Sequence, residues 1–145
     1  MRFPFGSDVL DAVCRLLVPF MLLFAVYVVV HGHDSPGGGF QGGVICAAAL
    51  ILIQLVRGDE VGWGLSPAWA LALACSGVGI FAGIGLVSIA FGRNYLDYSG
   101  LPLDLEPAEV RAMGILGIEI GVALGVTGVL VLIFDALTAW DRQES

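Results

Sequence analysis

The stretch LLFAVYVVVHGHDSPGGGFQGGVICAAALIL, residues 22–52, decides the fold. Two uncharged apolar runs, Leu16–Val30 and Phe40–Val56, flank a polar turn that is rich in glycine. The first run becomes long enough for a bilayer core of about 30 Å when it extends back past Arg15, because a guanidinium group reaches the headgroups on its long stem. The pattern predicts two membrane helices joined by residues 31–43, HGHDSPGGGFQGG, which we call the glycine-rich segment.

The rest of the chain has the same apolar character. Pro67–Gly92 carries no charge, and Ala112–Phe134 carries only Glu119. The 145 residues are 58% hydrophobic and 13% charged, whereas a soluble domain is about 25% charged. We therefore predict an all-α integral membrane protein, a single domain with four transmembrane helices and both termini on the same side. The predicted spans are roughly 12–30, 40–56, 67–92 and 112–134.

The charge pattern indicates an orientation and excludes one class of partner. All six basic residues are arginine and none form a run, so binding to nucleic acid is excluded. Four arginines lie on the side of the termini and two on the opposite side, which favours cytoplasmic termini in a cell membrane. The first group is Arg2, Arg15, Arg57 and Arg142, and the second is Arg93 and Arg111.

The glycine-rich segment contains two motifs that suggest chemistry. Gly37 to Gly42 match the dinucleotide fingerprint G-x-G-x-x-G, but membrane spans replace the strand and βαβ unit that this fingerprint requires. His31, His33 and Asp34 supply only part of a metal-ligand set, so a metal there would need ligands from another subunit. The three cysteines are too far apart for a metal or iron–sulfur motif, and we expect no metal and no cofactor.

Glycines also recur at helical spacing inside two of the predicted spans. Helices associate in lipid by close backbone approach, which glycine permits. Such contacts are internal or are made with other membrane subunits. The predicted packing positions are Gly79 and Gly83 in the third span and Gly117, Gly121 and Gly125 in the fourth.

Glu119 is the one carboxylate well inside a predicted span. A charge at that depth is costly, so such residues usually face a helix bundle or a wet cavity and belong to ion or proton pathways. At about 100° per residue, Glu119 points away from the face that carries Gly117 and Gly121. Two hypotheses remain open, an ion-path carboxylate and a neutral acid that is hydrogen-bonded to a neighbouring helix.

The residues from Leu22 to Leu52 closely resemble the MnhB (MrpB) family, one of the component subunits of the Mrp-type multisubunit cation/proton antiporters, above all in the core HGHDSPGGGFQGGVI. The last span, GIEIGVALGVTGVLVLIF from Gly117, is similar to the last helix of that family, where an acidic position corresponds to Glu119. The resemblance implies a four-helix, non-catalytic subunit of a Na⁺/H⁺ antiporter in the cytoplasmic membrane. Its partners would be the other membrane subunits, the lipid bilayer and the transported Na⁺ and H⁺.

Two alternatives accompany this interpretation. Related small subunits occur in the ion-pumping module of membrane-bound hydrogenases and similar redox complexes, and a purely structural scaffold has the same pattern of spans. A membrane-embedded enzyme is disfavoured because no nucleophile and base lie at one depth. The glycine-rich segment is predicted to form an interface or an ion entry. Its candidate residues are His31, His33, Asp34, Gly37, Gly38, Gly39 and Gln41.

Overall fold

A computed structural model describes residues 8–32, 37–57 and 65–144, and they form four long helices and one short 3₁₀ turn. The helices are α1 (Asp8–Val30), α2 (Gly39–Arg57), α3 (Pro67–Ala90) and α4 (Pro107–Glu144), and the turn is Tyr98–Gly100. The described part of the chain contains no strand. All four helices are long and apolar enough to cross a membrane, which confirms the predicted all-α membrane class.

The helix ends differ from the ends of the predicted spans, because a charged residue ends an apolar run but does not by itself end a helix. Most of the predicted spans begin or end next to a charged residue, but a helix continues past such residues into the headgroup region. In α1 the additional first turns contain an ion pair between Arg15 and Asp11, with 2.8 Å from Nε to Oδ2. At the other extreme α3 ends at Ala90, two residues early, because Gly92 takes a φ of +72° that a helix does not contain.

The four helices stand side by side in the spatial order α1, α2, α4, α3. Helix α2 runs antiparallel to α1, since Gly42 faces Val29 near the end of α1. It runs parallel to α4, since Gly43 faces Ala123. Among the described helices, α3 pairs only with the far side of α4. Because Gly39 and Gly43 face Glu119 and Ala123 in the same order, α2 and α4 run parallel and α1 runs antiparallel to both, so the beginning of α1 and the end of α4 lie at the same end of the row. A small core of fully buried side chains joins α2, α3 and α4 at Ala47, Ala70 and Val131.

Helices α3 and α4 are in backbone contact along a seam of small residues. A Cβ atom built on Gly77 would lie 2.5 Å from the carbonyl oxygen of Gly121 and 2.7 Å from Cα of Gly125. A Cβ on Gly117 would lie 2.7 Å from Cδ1 of Ile84. Only glycine permits helix axes to come this close. On the side of α3 the seam includes the buried residues Ala70, Ala74 and Gly77, and a Cβ atom on Gly128 of α4 would lie 2.5 Å from the backbone nitrogen of Ala74.

Gly79 and Gly83 lie on a different face of α3 from this seam. A Cβ atom on either would meet no other atom within 4 Å. Gly77 and Gly79 differ by two residues, which is about 200° around a helix, so the two glycines point in nearly opposite directions. Sequence analysis therefore missed Gly77 as the contact of α3 within the chain. The repeat of small residues at Ala70, Ala74 and Gly77 was the signal that identifies the inner face.

The connection from α3 to α4 folds back onto the helices through two tyrosines. The ring of Tyr95 covers Gly85 in α3, and the ring of Tyr98 covers Gly114 in α4. Asp97 starts the 3₁₀ turn by accepting hydrogen bonds from the hydroxyl of Ser99, at 2.6 Å, and from its backbone N–H, at 3.1 Å. These hydrogen bonds hold the pKa of the Asp97 carboxyl below its usual value. The connection is thus anchored to the α3–α4 pair.

Replacement of Gly77 by alanine will destabilise the protein, because the added methyl group overlaps the backbone of α4. Overpacking of this kind costs about 1–3 kcal/mol of unfolding free energy. Gly79→Ala is the matched control on the same helix, and it leaves stability unchanged or raises it slightly through helix propensity. Thermal unfolding of the two variants in detergent, followed by circular dichroism, measures the difference. Equal stability of the two variants would contradict the close α3–α4 seam.

Candidate functional site

The glycine-rich segment and Glu119 meet at the first residue of α2. The backbone N–H of Gly39 donates a hydrogen bond to Oε2 of Glu119, across 80 residues of sequence. The first N–H groups of a helix have no partner within the helix, and the N-terminus carries a partial positive charge. A carboxylate matches both properties, since it accepts hydrogen bonds and is negative. Glu119 therefore serves as the cap of α2 from a neighbouring helix.

Gly38 shapes the approach of the chain to this cap. It is buried and has a φ of +133°, a conformation that residues with a side chain rarely adopt. A Cβ atom on Gly38 would lie 2.8 Å from Oε2 and 3.1 Å from Oε1 of Glu119. Both carboxylate oxygens of Glu119 thus lie against the glycine backbone at the start of α2. Any side chain at position 38 would push the carboxylate away.

The next turn of α2 is in backbone contact with α4. A Cβ atom on Gly39 would overlap the carbonyl oxygen of Glu119, and one on Gly43 would lie 2.8 Å from the carbonyl oxygen of Ala123. The buried hydroxyl of Thr127 donates to the carbonyl oxygens of Ala123, at 2.7 Å, and of Gly43, at 3.1 Å. The two carbonyl oxygens lie about one helical turn beyond the contact between Gly39 and Glu119, so this hydroxyl fastens α2 to α4 one turn further along.

On its other side the glycine-rich segment packs against the end of α1. A Cβ atom on Gly42 would overlap the side chain of Val29 and lie 2.9 Å from the carbonyl oxygen of Ala25. A Cβ atom on Gly32 would lie 2.6 Å from Cα of Gly38. The glycines thus permit α1, α2 and α4 to converge on the start of α2.

The start of α2 lies deep in the row of helices. Gly117 contacts Ile84 and Gly121 contacts Phe81, so Glu119 and the bound Gly39 are level with the stretch of α3 between those two residues. Helix α3 continues from there to Ala90, roughly 12 Å further at 1.5 Å per residue. Irregular backbone at membrane depth must be buried in protein or line a cavity. Here the irregular backbone of Gly38 is buried against α4.

The remaining candidate residues of the glycine-rich segment are arranged differently. The imidazole of His31 stacks on the ring of Tyr27, with ring centroids 4.2 Å apart, and its Nδ1 lies 3.1 Å from the carbonyl oxygen of Tyr27. Gln41 is exposed and Gly37 is half-buried. His33 and Asp34 lie outside the described residues. Among the residues that the structure describes, no three His, Cys, Asp or Glu side chains form a group that can hold a metal ion.

Each candidate side of α4 has its own partner. Gly117 and Gly121 face α3, whereas Glu119, Ala123 and Thr127 face α2. The predicted angular separation of Glu119 from the glycine face therefore holds. Sequence analysis missed that Glu119 and the glycine-rich segment form one site, and no local signal pairs residues 80 positions apart. It also missed Thr127, for which the four-residue spacing from Ala123 was the available clue.

Together these features define a multi-pass α-helical membrane protein with a carboxylate bound between two of its helices. Residues 9–132 match the family described as a domain related to the MnhB subunit of Na⁺/H⁺ antiporter. The chain therefore belongs to the MnhB family, and the resemblance found in residues 22–52 is confirmed.

Two relatives illustrate the extent of the similarity. A putative antiporter subunit mnhB2 of Staphylococcus haemolyticus is 34% identical over 131 residues, which cover 90% of this chain and 93% of that protein. A Na⁺/H⁺ antiporter subunit of Bacillus subtilis is 29% identical over 133 residues, which cover 89% of this chain and 91% of that protein. The similarity extends over nearly the whole of each chain, so it includes both the glycine-rich segment and α4. Both relatives are named as subunits of antiporters rather than as enzymes.

Thr127→Val will weaken the attachment of α2 to α4, because valine keeps the shape of threonine and lacks the hydroxyl that bonds Gly43. Interhelical hydrogen bonds in membranes are worth about 0.6 kcal/mol and up to about 1.7 kcal/mol. Thr138→Val is the matched control, since the Thr138 hydroxyl bonds carbonyl oxygens of its own helix. Thermal unfolding in detergent will give a lower midpoint for Thr127→Val than for Thr138→Val. A reversed order would argue against the Thr127 bridge.

Proposed function

We propose that the protein is a non-catalytic membrane subunit of a multisubunit Na⁺/H⁺ antiporter and that Glu119 belongs to the ion path of that complex. One observation carries the second part. The carboxylate of Glu119 lies inside the membrane-spanning part of the chain, about 5 Å from the level of the middle of α3, and is bound to the start of α2. Acidic residues at such depth are rare in membrane helices, and they mark ion and proton pathways.

Among the residues that the structure describes, Glu119 is the one charged group at this depth. Between Arg111 and Asp135, Glu119 is the only charged residue of α4, and α3 has no charged residue at all. A complete path for Na⁺ needs several oxygen ligands in succession. We infer that neighbouring subunits provide the remaining ligands, and that this chain contributes one carboxylate and the helices that hold it. The names of the relatives, both antiporter subunits, favour an antiporter over the hydrogenase-type setting.

The outer surfaces of the helices support an assembly with other subunits in the lipid bilayer. Large apolar side chains of α1 are exposed, among them Leu16 at 68% and Phe20 at 63%. A cleft of about 770 Å³ lies between α1 and α2, and its lining includes Val18, Leu22 and Leu50. Surfaces of this kind face lipid or partner helices. The outward notch at Gly79 and Gly83 on α3 fits close approach by a helix of another subunit.

We propose that the complex lies in the cell membrane with both termini of this chain in the cytoplasm. The excess of arginine on the side of the termini supports this orientation. The end of the row that contains the glycine-rich segment and the α3–α4 connection then faces outward. In this orientation a cation that arrives from outside approaches Glu119 from the end at which α2 begins.

Glu119→Ala will reduce Na⁺/H⁺ exchange to near background while the complex still assembles, because it removes the only intramembrane carboxylate of α4. Glu109→Ala is the matched control, since Glu109 is an exposed acid in the first turn of the same helix. Exchange is measured with a pH-sensitive dye in inverted membrane vesicles, and assembly is measured on a native gel. Wild-type exchange by an assembled Glu119→Ala complex would leave the chain with a purely structural role.

A further inference from the structure

We propose that the N-terminus of α2 competes with the transported cation for the carboxylate of Glu119. In this arrangement the cation gains the carboxylate only by displacing the backbone N–H of Gly39. Gly39 is then a positioning residue for Glu119. Each time a cation binds Glu119, the first turn of α2 loses its hydrogen bond to the carboxylate. The inference rests on the proposed function, in which Glu119 belongs to the ion path.

The N-terminal end of α2 already acts as the positive partner of Glu119. A helix N-terminus carries the equivalent of about half a positive charge, and its N–H groups need an acceptor. Gly39 donates to Oε2, and both carboxylate oxygens lie against Gly38. A cation and this helix end repel each other, so the two positive partners exclude each other at the carboxylate.

Among the described residues, few other charged side chains lie near Glu119 and affect this competition. Helix α2 carries no charged side chain before Arg57, and α3 carries none. At the end of α1, the titratable side chains are Tyr27 and His31, which stack on each other. On α4, Arg111 precedes Glu119 by more than two helical turns and is exposed. Among the described residues, the start of α2 is therefore the main positive partner of the carboxylate.

The first turn of α2 can move without the rest of the helix. Gly38 has no side chain, so its backbone dihedral angles are less restricted than those of any residue with a Cβ atom. One turn later α2 is fixed, since Gly42 is wedged against Val29 and the carbonyl oxygen of Gly43 accepts from Thr127. Displacement of Gly39 therefore involves residues 38–41 and leaves the helix beyond Gly43 in place.

Amide hydrogen exchange of the purified complex, analysed by mass spectrometry, tests this competition. The complex is compared in sodium chloride and in choline chloride at equal ionic strength. The wild-type amide of Gly39 will exchange about tenfold faster in sodium, which corresponds to the loss of its one hydrogen bond to a charged group, and peptides that cover residues 38–41 report this change. Residues 44–50 of the same helix will exchange equally in the two salts.

Glu119→Gln is the decisive variant. Glutamine keeps an oxygen that accepts from Gly39 but carries no charge to attract Na⁺, so residues 38–41 will stay protected in both salts. Glu109→Gln, on the same helix and exposed, will keep the wild-type response to sodium. A response to sodium in Glu119→Gln equal to that of the wild type would overturn the proposal.

The outcomes separate this inference from the proposed function. If Glu119→Ala abolishes ion exchange and the wild-type amides of residues 38–41 behave alike in sodium and choline, the competition is refuted and the ion-path role stands. If an assembled Glu119→Ala complex exchanges ions at the wild-type rate, the ion-path role fails, and the inference fails with it. Faster exchange of residues 38–41 in sodium that disappears in Glu119→Gln supports both.

Discussion

Close contact between helix backbones is the constraint on which this structure depends. Lipid chains are as apolar as the side chains of these helices, so burial of apolar surface does little to hold the helices together in a membrane. Van der Waals packing and a few hydrogen bonds must do so, and both require short distances between helix axes. Helix α4 meets this requirement on two sides. Gly117 and Gly121 contact α3, and Ala123 and Thr127 contact the glycine turn of α2.

The same constraint explains why the glycine-rich segment is adjacent to a carboxylate. A helix that begins inside a membrane has N–H groups in its first turn with no water to accept their hydrogen bonds, which is costly. Glu119 accepts from the first N–H of α2 and carries the charge that a helix N-terminus favours. The helix N-terminus stabilises the carboxylate in turn, because a charge at this depth needs a partner. The carboxylate and the helix N-terminus therefore stabilise each other at this position. The proposed ion path would include this pair.

The candidate site combines residues whose roles in isolation look different. In the sequence, Gly37 to Gly42 match a dinucleotide fingerprint, and His31 suggests a metal ligand. In the structure, Gly38 and Gly39 provide space for a carboxylate, and His31 stacks on Tyr27. The described part of the segment thus binds Glu119 through its backbone, by an N–H donor and by the absence of side chains at Gly38 and Gly39. A functional role assigned from side-chain types alone would overlook it.

The sequence by itself determined the four membrane helices and the depth of Glu119, because hydropathy and helical periodicity are local properties that each segment carries on its own. It also determined that Glu119 and Gly121 point to different sides of α4, since the angle between them depends only on their spacing. The tertiary structure decided which helices are neighbours, that Gly77 rather than Gly79 lies at the α3–α4 contact, and that Glu119 binds Gly39. These pairings join residues far apart in the chain, and they depend on how whole helix faces fit, which no local pattern records.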